Sequence, residues 1–164
     1  MNRSALAIPA LALCVFFATP TLAQTIPAGG ATAQDIQGWL TAQGLDAAAR
    51  TDAASPTVMS GANGVSWDVI GFDCQAERCG SWQFSAAFRA DALQAGAVER
   101  WNAQRRYLKA FEATLDNQAV AVVQYDVLLV PGSTWEGLTA HMNLFAGTVP
   151  LFAIEIGAAQ APGG

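Results

Sequence analysis

Cys74 and Cys79, separated by four residues in "FDCQAERCGSWQF" (72–84), are the side chains of this chain best suited to chemistry, and Cys14 is the one other cysteine. Such a pair can serve as a redox dithiol, as half of a metal site, or as a structural disulfide. Redox cysteines work best at a helix N-terminus, where the thiolate is stabilised, whereas these two flank a hairpin pattern. Zinc wants two further nitrogen or sulfur ligands, and beyond the cysteines the chain offers only His141. The residues therefore favour a disulfide, with a small thiol-disulfide enzyme as the alternative. His141 lies within a helical pattern, and no serine or cysteine is demonstrably near it. No catalytic residue, metal ligand or cofactor is assigned.

The compartment follows from the first 23 residues. Arg3 gives a positive start, "ALAIPALALCVFFA" an apolar stretch of signal-peptide length, and "TPTLAQ" a cleavage pattern before Gln24. The apolar stretch is short for a membrane span. Leu13 is too bulky to precede a lipidated cysteine at Cys14. Expectation is thus a signal peptide at 1–23, a flexible leader at 24–33, one domain at 34–156 and a disordered tail at 157–164, in a protein that is periplasmic or secreted, with no stable membrane insertion after cleavage. Loss of Arg3 leaves seven basic residues against 13 acidic ones, a net charge of −6. Nucleic acid and anionic membrane faces need clustered Lys and Arg, so both are excluded as partners.

The elements that must position these residues are read from caps and periodicity. Thr32 and Asp35 have capping-box spacing before Ile36, Trp39 and Leu40, which share a helical face that ends at Gly44. Residues 45–61 read as two short strands around Ser55-Pro56, and "GANG" (61–64) as a turn. Setting Cys74 opposite Cys79 fixes a register in which Val69 faces Phe84 and Gly71 faces Trp82, and one face of the ribbon becomes apolar. Ile70 and Phe72 fall on the other face, so that a covering loop or a bulge at Gly71 is expected there. An amphipathic helix is expected through "VERWNAQRRYLKAFEATL", with Asp91 or Gln94 as cap and Val98, Trp101, Leu108, Phe111 and Leu115 on its apolar stripe. Arg105 on that side points to an ion pair within the fold. "NQ" (117–118) turns the chain into the apolar strand "AVAVVQYDVLLV", which Asp126 interrupts.

Ser133 and Glu136 then mark the start of a last helix, which Gly147 and Pro150 should kink or break. A broken helix would leave Phe152 and Ile156 free to dock elsewhere. Together with Arg106 and Tyr107 they form the candidate interaction surface, although an apolar stripe of this kind is more often core. The five tryptophans Trp39, Trp67, Trp82, Trp101 and Trp135 allow a third reading, a carrier for an apolar ligand.

The segments "FDCQAERCGSWQFSAAF", "ERWNAQRRYLKAF" and "PGSTWEGLTAHMNLF" resemble the YbjN-domain family of bacterial proteins over residues 34–156. Cys74, Cys79, Trp82, Phe84, Trp101, Asn102, Arg106 and Tyr107 carry the likeness. The resemblance implies an α+β fold similar to the type III secretion chaperones: an antiparallel sheet with flanking helices, in the order α-β-β-β-α-β-α. It also implies a sensory or regulatory role with no established catalytic residues. The expected function is an exported, non-catalytic binding or chaperone-like module that associates with a protein partner or with itself as a homodimer.

Overall fold

The computed structural model describes residues 24–50, 53–89 and 93–157. The expected signal peptide, the cap at Asp91 and all but the first residue of the expected tail lie outside them. The chain runs α1 (Ala33–Ala42), β1 (Ala47–Arg50), β2 (Thr57–Ala62), β3 (Val65–Gln75), β4 (Arg78–Arg89), α2 (Ala97–Gln104), β5 (Lys109–Leu115), β6 (Gln118–Leu128) and α3 (Trp135–Ile156). The class is α+β, as expected, with two more strands than the expected order contained. The strands form one antiparallel sheet in the order β1-β2-β3-β4-β6-β5.

Alternation places the core on one side of this sheet. Trp67 and Phe84 point to one face and meet Phe145 of α3, while Phe88 meets Phe152. Trp101 of α2 packs on Phe152 and Trp39 of α1 on Trp135, so all three helices gather on that face. The expected register of β3 with β4 holds from Asp68↔Ser85 to Gln75↔Arg78. Gly71 marks no bulge but a close approach, since a Cβ there would sit 2.7 Å from the Cys79 sulfur and 3.1 Å from the Trp82 ring. The expected capping box of α1 forms, with the Asp35 amide donating to Thr32 Oγ1 and the Thr32 amide to Asp35.

Four expectations are corrected. Residues 24–31 are docked rather than a flexible leader: Ile26 is buried, its amide donates to the Ser133 carbonyl, and Ala31 exchanges two backbone hydrogen bonds with Cys79. The long amphipathic helix stops at Gln104. Arg105 is extended and Tyr107 left-handed at φ 75°, and Lys109–Leu115 becomes a strand because Asp116 and Asn117, at φ 48° and 61°, form a tight turn onto β6. Asn102 secures the junction by exchanging hydrogen bonds of 2.8 and 2.9 Å with the backbone of Ala110.

The N-cap of α3 is Thr134, which accepts from the Gly137 amide, while Ser133 accepts instead from the Val130 amide in the preceding turn. Finally, α3 runs unbroken through Gly147 and Pro150. A proline leaves the carbonyl four residues back without its helical donor. Here that carbonyl belongs to Ala146, and the Asn63 side chain reaches it at 3.4 Å from the β2–β3 turn. By length and apolarity α3 is the one described helix able to cross a bilayer, yet its Phe145, Val149, Phe152 and Ile156 are committed to the core.

Candidate functional site

The cysteines close the β3–β4 hairpin as a disulfide around the two-residue turn Ala76-Glu77. Cys74 is exposed, whereas Cys79 is wholly buried beneath Ala31. Arg78 ties the same turn to α1 and the docked segment, donating to the Gly30 carbonyl at 2.9 Å and to Asp35 at 3.3 Å. The disulfide closes a short loop, so its entropic contribution is about 2 kcal/mol. Replacing both cysteines with alanine is therefore expected to lower the melting temperature by several degrees and to leave the fold intact. The same variant should match wild type in an insulin-reduction assay; a reductase activity lost with the cysteines would instead support the enzyme alternative.

The four residues of the candidate interaction surface do not come together. Phe152 and Ile156 are each 0% exposed, because the unbroken helix carries them into the core against the sheet and α2. Arg106 and Tyr107 do share the surface, the guanidinium lying 5.0 Å over the ring of a tyrosine that is 61% exposed. Arg105 makes the expected ion pair, with Glu155 at 3.5 Å, and also stacks over Trp101. His141 has a neighbour that the sequence did not reveal: a 2.7 Å hydrogen bond joins its Nδ1 to the Tyr125 hydroxyl. Burial, and then the nearby Tyr107, raise the Tyr125 pKa, so this hydroxyl stays protonated at neutral pH. Among the described residues, no three His, Cys, Asp or Glu side chains are grouped to hold a metal ion.

A broad concavity lies on the sheet face that carries no helix. It is a trough of about 850 Å³ whose walls include Ala48, Met59, Ser66, Asp68, Ser85 and Ala87, with Leu115 at one rim. Strand pairing extends the same face across β6 and β5, through Ala87↔Val122↔Phe111 and Ser85↔Gln124↔Lys109. Val120 and Val122 are only 2% and 8% exposed, though they stand outside the main core. Asp126 belongs to this face and explains the break in its apolar strand. Burial pulls its carboxyl up, but hydrogen bonds from Lys109 at 2.9 Å and Gln83 at 2.6 Å outweigh that and hold it below the usual value.

Asp68 shows the opposite balance. Burial raises its carboxyl above the usual value and the attraction of Arg50 only partly offsets this. The folded chain thus keeps this proton to a higher pH than the unfolded chain does, and stability falls as pH rises from the ordinary carboxylate value through the raised one. Asp68→Asn is accordingly expected to raise the melting temperature at neutral pH, with the gain vanishing in acid below the ordinary carboxylate range. A scan of both proteins across pH checks it.

Comparison with known proteins places this geometry. A search of curated proteins returns no significant sequence match. Among solved structures, the chain is similar to that described as "Crystal structure of YbjN, a putative transcription regulator from E. coli", with TM-score 0.58, 16% sequence identity, and coverage of 80% of this chain and 97% of that one. At that identity the likeness concerns the fold. The family model for YbjN, described as "Putative bacterial sensory transduction regulator", matches residues 32–156, from the cap of α1 to the end of α3. With the sheet, its three helices and the disulfide hairpin all inside that match, the chain belongs to the YbjN family.

Proposed function

We propose that this protein is an exported, non-catalytic regulatory module that binds a protein partner on the helix-free face of its sheet. The carrying observation is that face itself: a six-stranded sheet covered on one side by three helices and left, on the other, as a trough with mixed apolar and polar walls. Most antiparallel sheets expose a polar face to water, but the exposed Met59, Phe111 and Leu115 make this one partly apolar. Asp68 and Asp126 in the same surface suit a polar partner better than an apolar small ligand.

Export is supported by the sequence of residues 1–23 and by a disulfide that needs an oxidising compartment to persist. A mature protein beginning at Gln24 in the osmotic-shock fraction, identified by intact mass, is the expected product; a full-length cytoplasmic product contradicts export. Binding is tested by filling the trough. Ser85→Trp points a large ring into it, and should lose a partner that cross-links to and co-purifies with wild type, while its melting temperature stays within a few degrees. Equal recovery of that partner by both proteins counts against the trough.

A further inference from the structure

Resting on the binding reading above, we infer the chemistry of the occupant: an extended polypeptide segment whose carboxylate seats on Arg89. Arg89 closes β4 on the helix-free face, opposite Val120, whose other neighbour is Ala113 of β5. Ala87, Val122 and Phe111 form the adjoining row. An arginine set in this apolar surround needs a counter-charge, and among the described residues it has none. Its Nε is buried without a hydrogen-bond partner. The two other cations on the face are answered, Lys109 by Asp126 at 2.9 Å and Arg50 by the charge of Asp68. Arg89 is therefore the surplus charge of a surface that belongs to an acidic protein.

The terminal nitrogens of Arg89 are not among the buried unpaired atoms, so a ligand carboxylate meets the guanidinium there rather than at the covered Nε. The planar guanidinium fork matches a carboxylate in particular, since both oxygens can accept from it at once. The trough beside Arg89, whose walls do not include it, decides what carries that carboxylate. Asp68, Ser85 and Gln124 line up across β3, β4 and β6 beside Met59 and Ala87. An alkyl chain would cover these polar groups without bonding them, whereas backbone amides can pair with them. Small wall residues such as Ala48, Gly61 and Ala87 leave space for the side chains.

The probe is an array of twelve-residue peptides of Val, Ala and Ser that carry one Asp or Glu, each with its Asn or Gln counterpart, plus dodecanoate as a separate ligand. Wild type is expected to hold the acidic peptides about tenfold more tightly than the amides. Arg89→Met, which keeps the apolar stem, should lose that preference, and Arg89→Lys, with a point charge in place of the fork, should keep part of it. Should the methionine variant fail to fold, the lysine variant still reports on the fork. Acid preference undiminished in both variants, or peptide binding with no acid preference in wild type, overturns the role of Arg89 and leaves the binding module standing. Binding of dodecanoate with no peptide bound overturns both.

Discussion

Phe152→Ala is expected to remove about 3–5 kcal/mol of folding stability, as large-to-small changes at fully buried aromatic positions do. Domains of this size are stable by only about 5–15 kcal/mol, so the variant should be marginal. The size follows from its surroundings: the ring is 0% exposed, 5.0 Å from Trp101 of α2 and 5.8 Å from Phe88 of β4, and it joins three elements at once. Ile154, two residues on and 77% exposed, supplies the control, since Ile154→Ala should change stability little. Urea denaturation of the two variants makes the comparison. Near-wild-type stability for Phe152→Ala would place the ring on a surface after all.

A second large loss is expected from Gly30→Ala. Gly30 has φ 91°, and a Cβ on it would stand 2.1 Å from the Cys79 carbonyl oxygen and 2.6 Å from its carbon. A left-handed non-glycine residue costs about 1–2 kcal/mol by itself. Relief of the clash must also part Ala31 from Cys79, whose paired hydrogen bonds of 2.8 and 3.2 Å dock the N-terminal segment. Together these put the loss at about 2–4 kcal/mol, and they predict faster proteolysis within residues 24–31. Gly29→Ala separates sequence position from geometry, because its Cβ would meet only the Arg78 side chain at an ordinary 3.6 Å. Equal effects at both glycines would contradict the docking described for this segment.

Those expectations mark where the sequence was readable and where it was not. The β3–β4 register was legible because two independent features, the cysteine pair and the apolar alternation, demanded the same pairing. The start of α1 was legible because a capping box is local. The junction after α2 was not, since Val98, Trp101, Leu108, Phe111 and Leu115 satisfy a helical stripe, while "KAFEATL" can equally follow a strand. Pairing with β6 decided it, together with the Asn102 side chain, and both are tertiary. Pro150 misled for a similar reason: the group that satisfies the Ala146 carbonyl, Asn63, is 83 residues away in sequence.

The trough was the least legible feature. Its walls come from β1, β2, β3 and β4, with Leu115 of β5, and in each strand the residues of the helix-free face look like the ordinary polar side. Only the placement of all three helices on the opposite face leaves these residues uncovered, and the burial of Val120 and Val122 is a property of the assembled sheet. Arg89 had no distinguishing mark in the sequence, because its lack of a partner is a property of the surface around it.

The helix-free face as the binding surface is the central claim, and photo-cross-linking in living cells tests it most directly. A photoreactive phenylalanine analogue at Ala87, in the trough, is compared with the same analogue at Asn143, exposed on α3. The account predicts a discrete protein adduct from Ala87 and none from Asn143. An adduct from Asn143 with none from Ala87 would contradict it and place the binding surface on the helices.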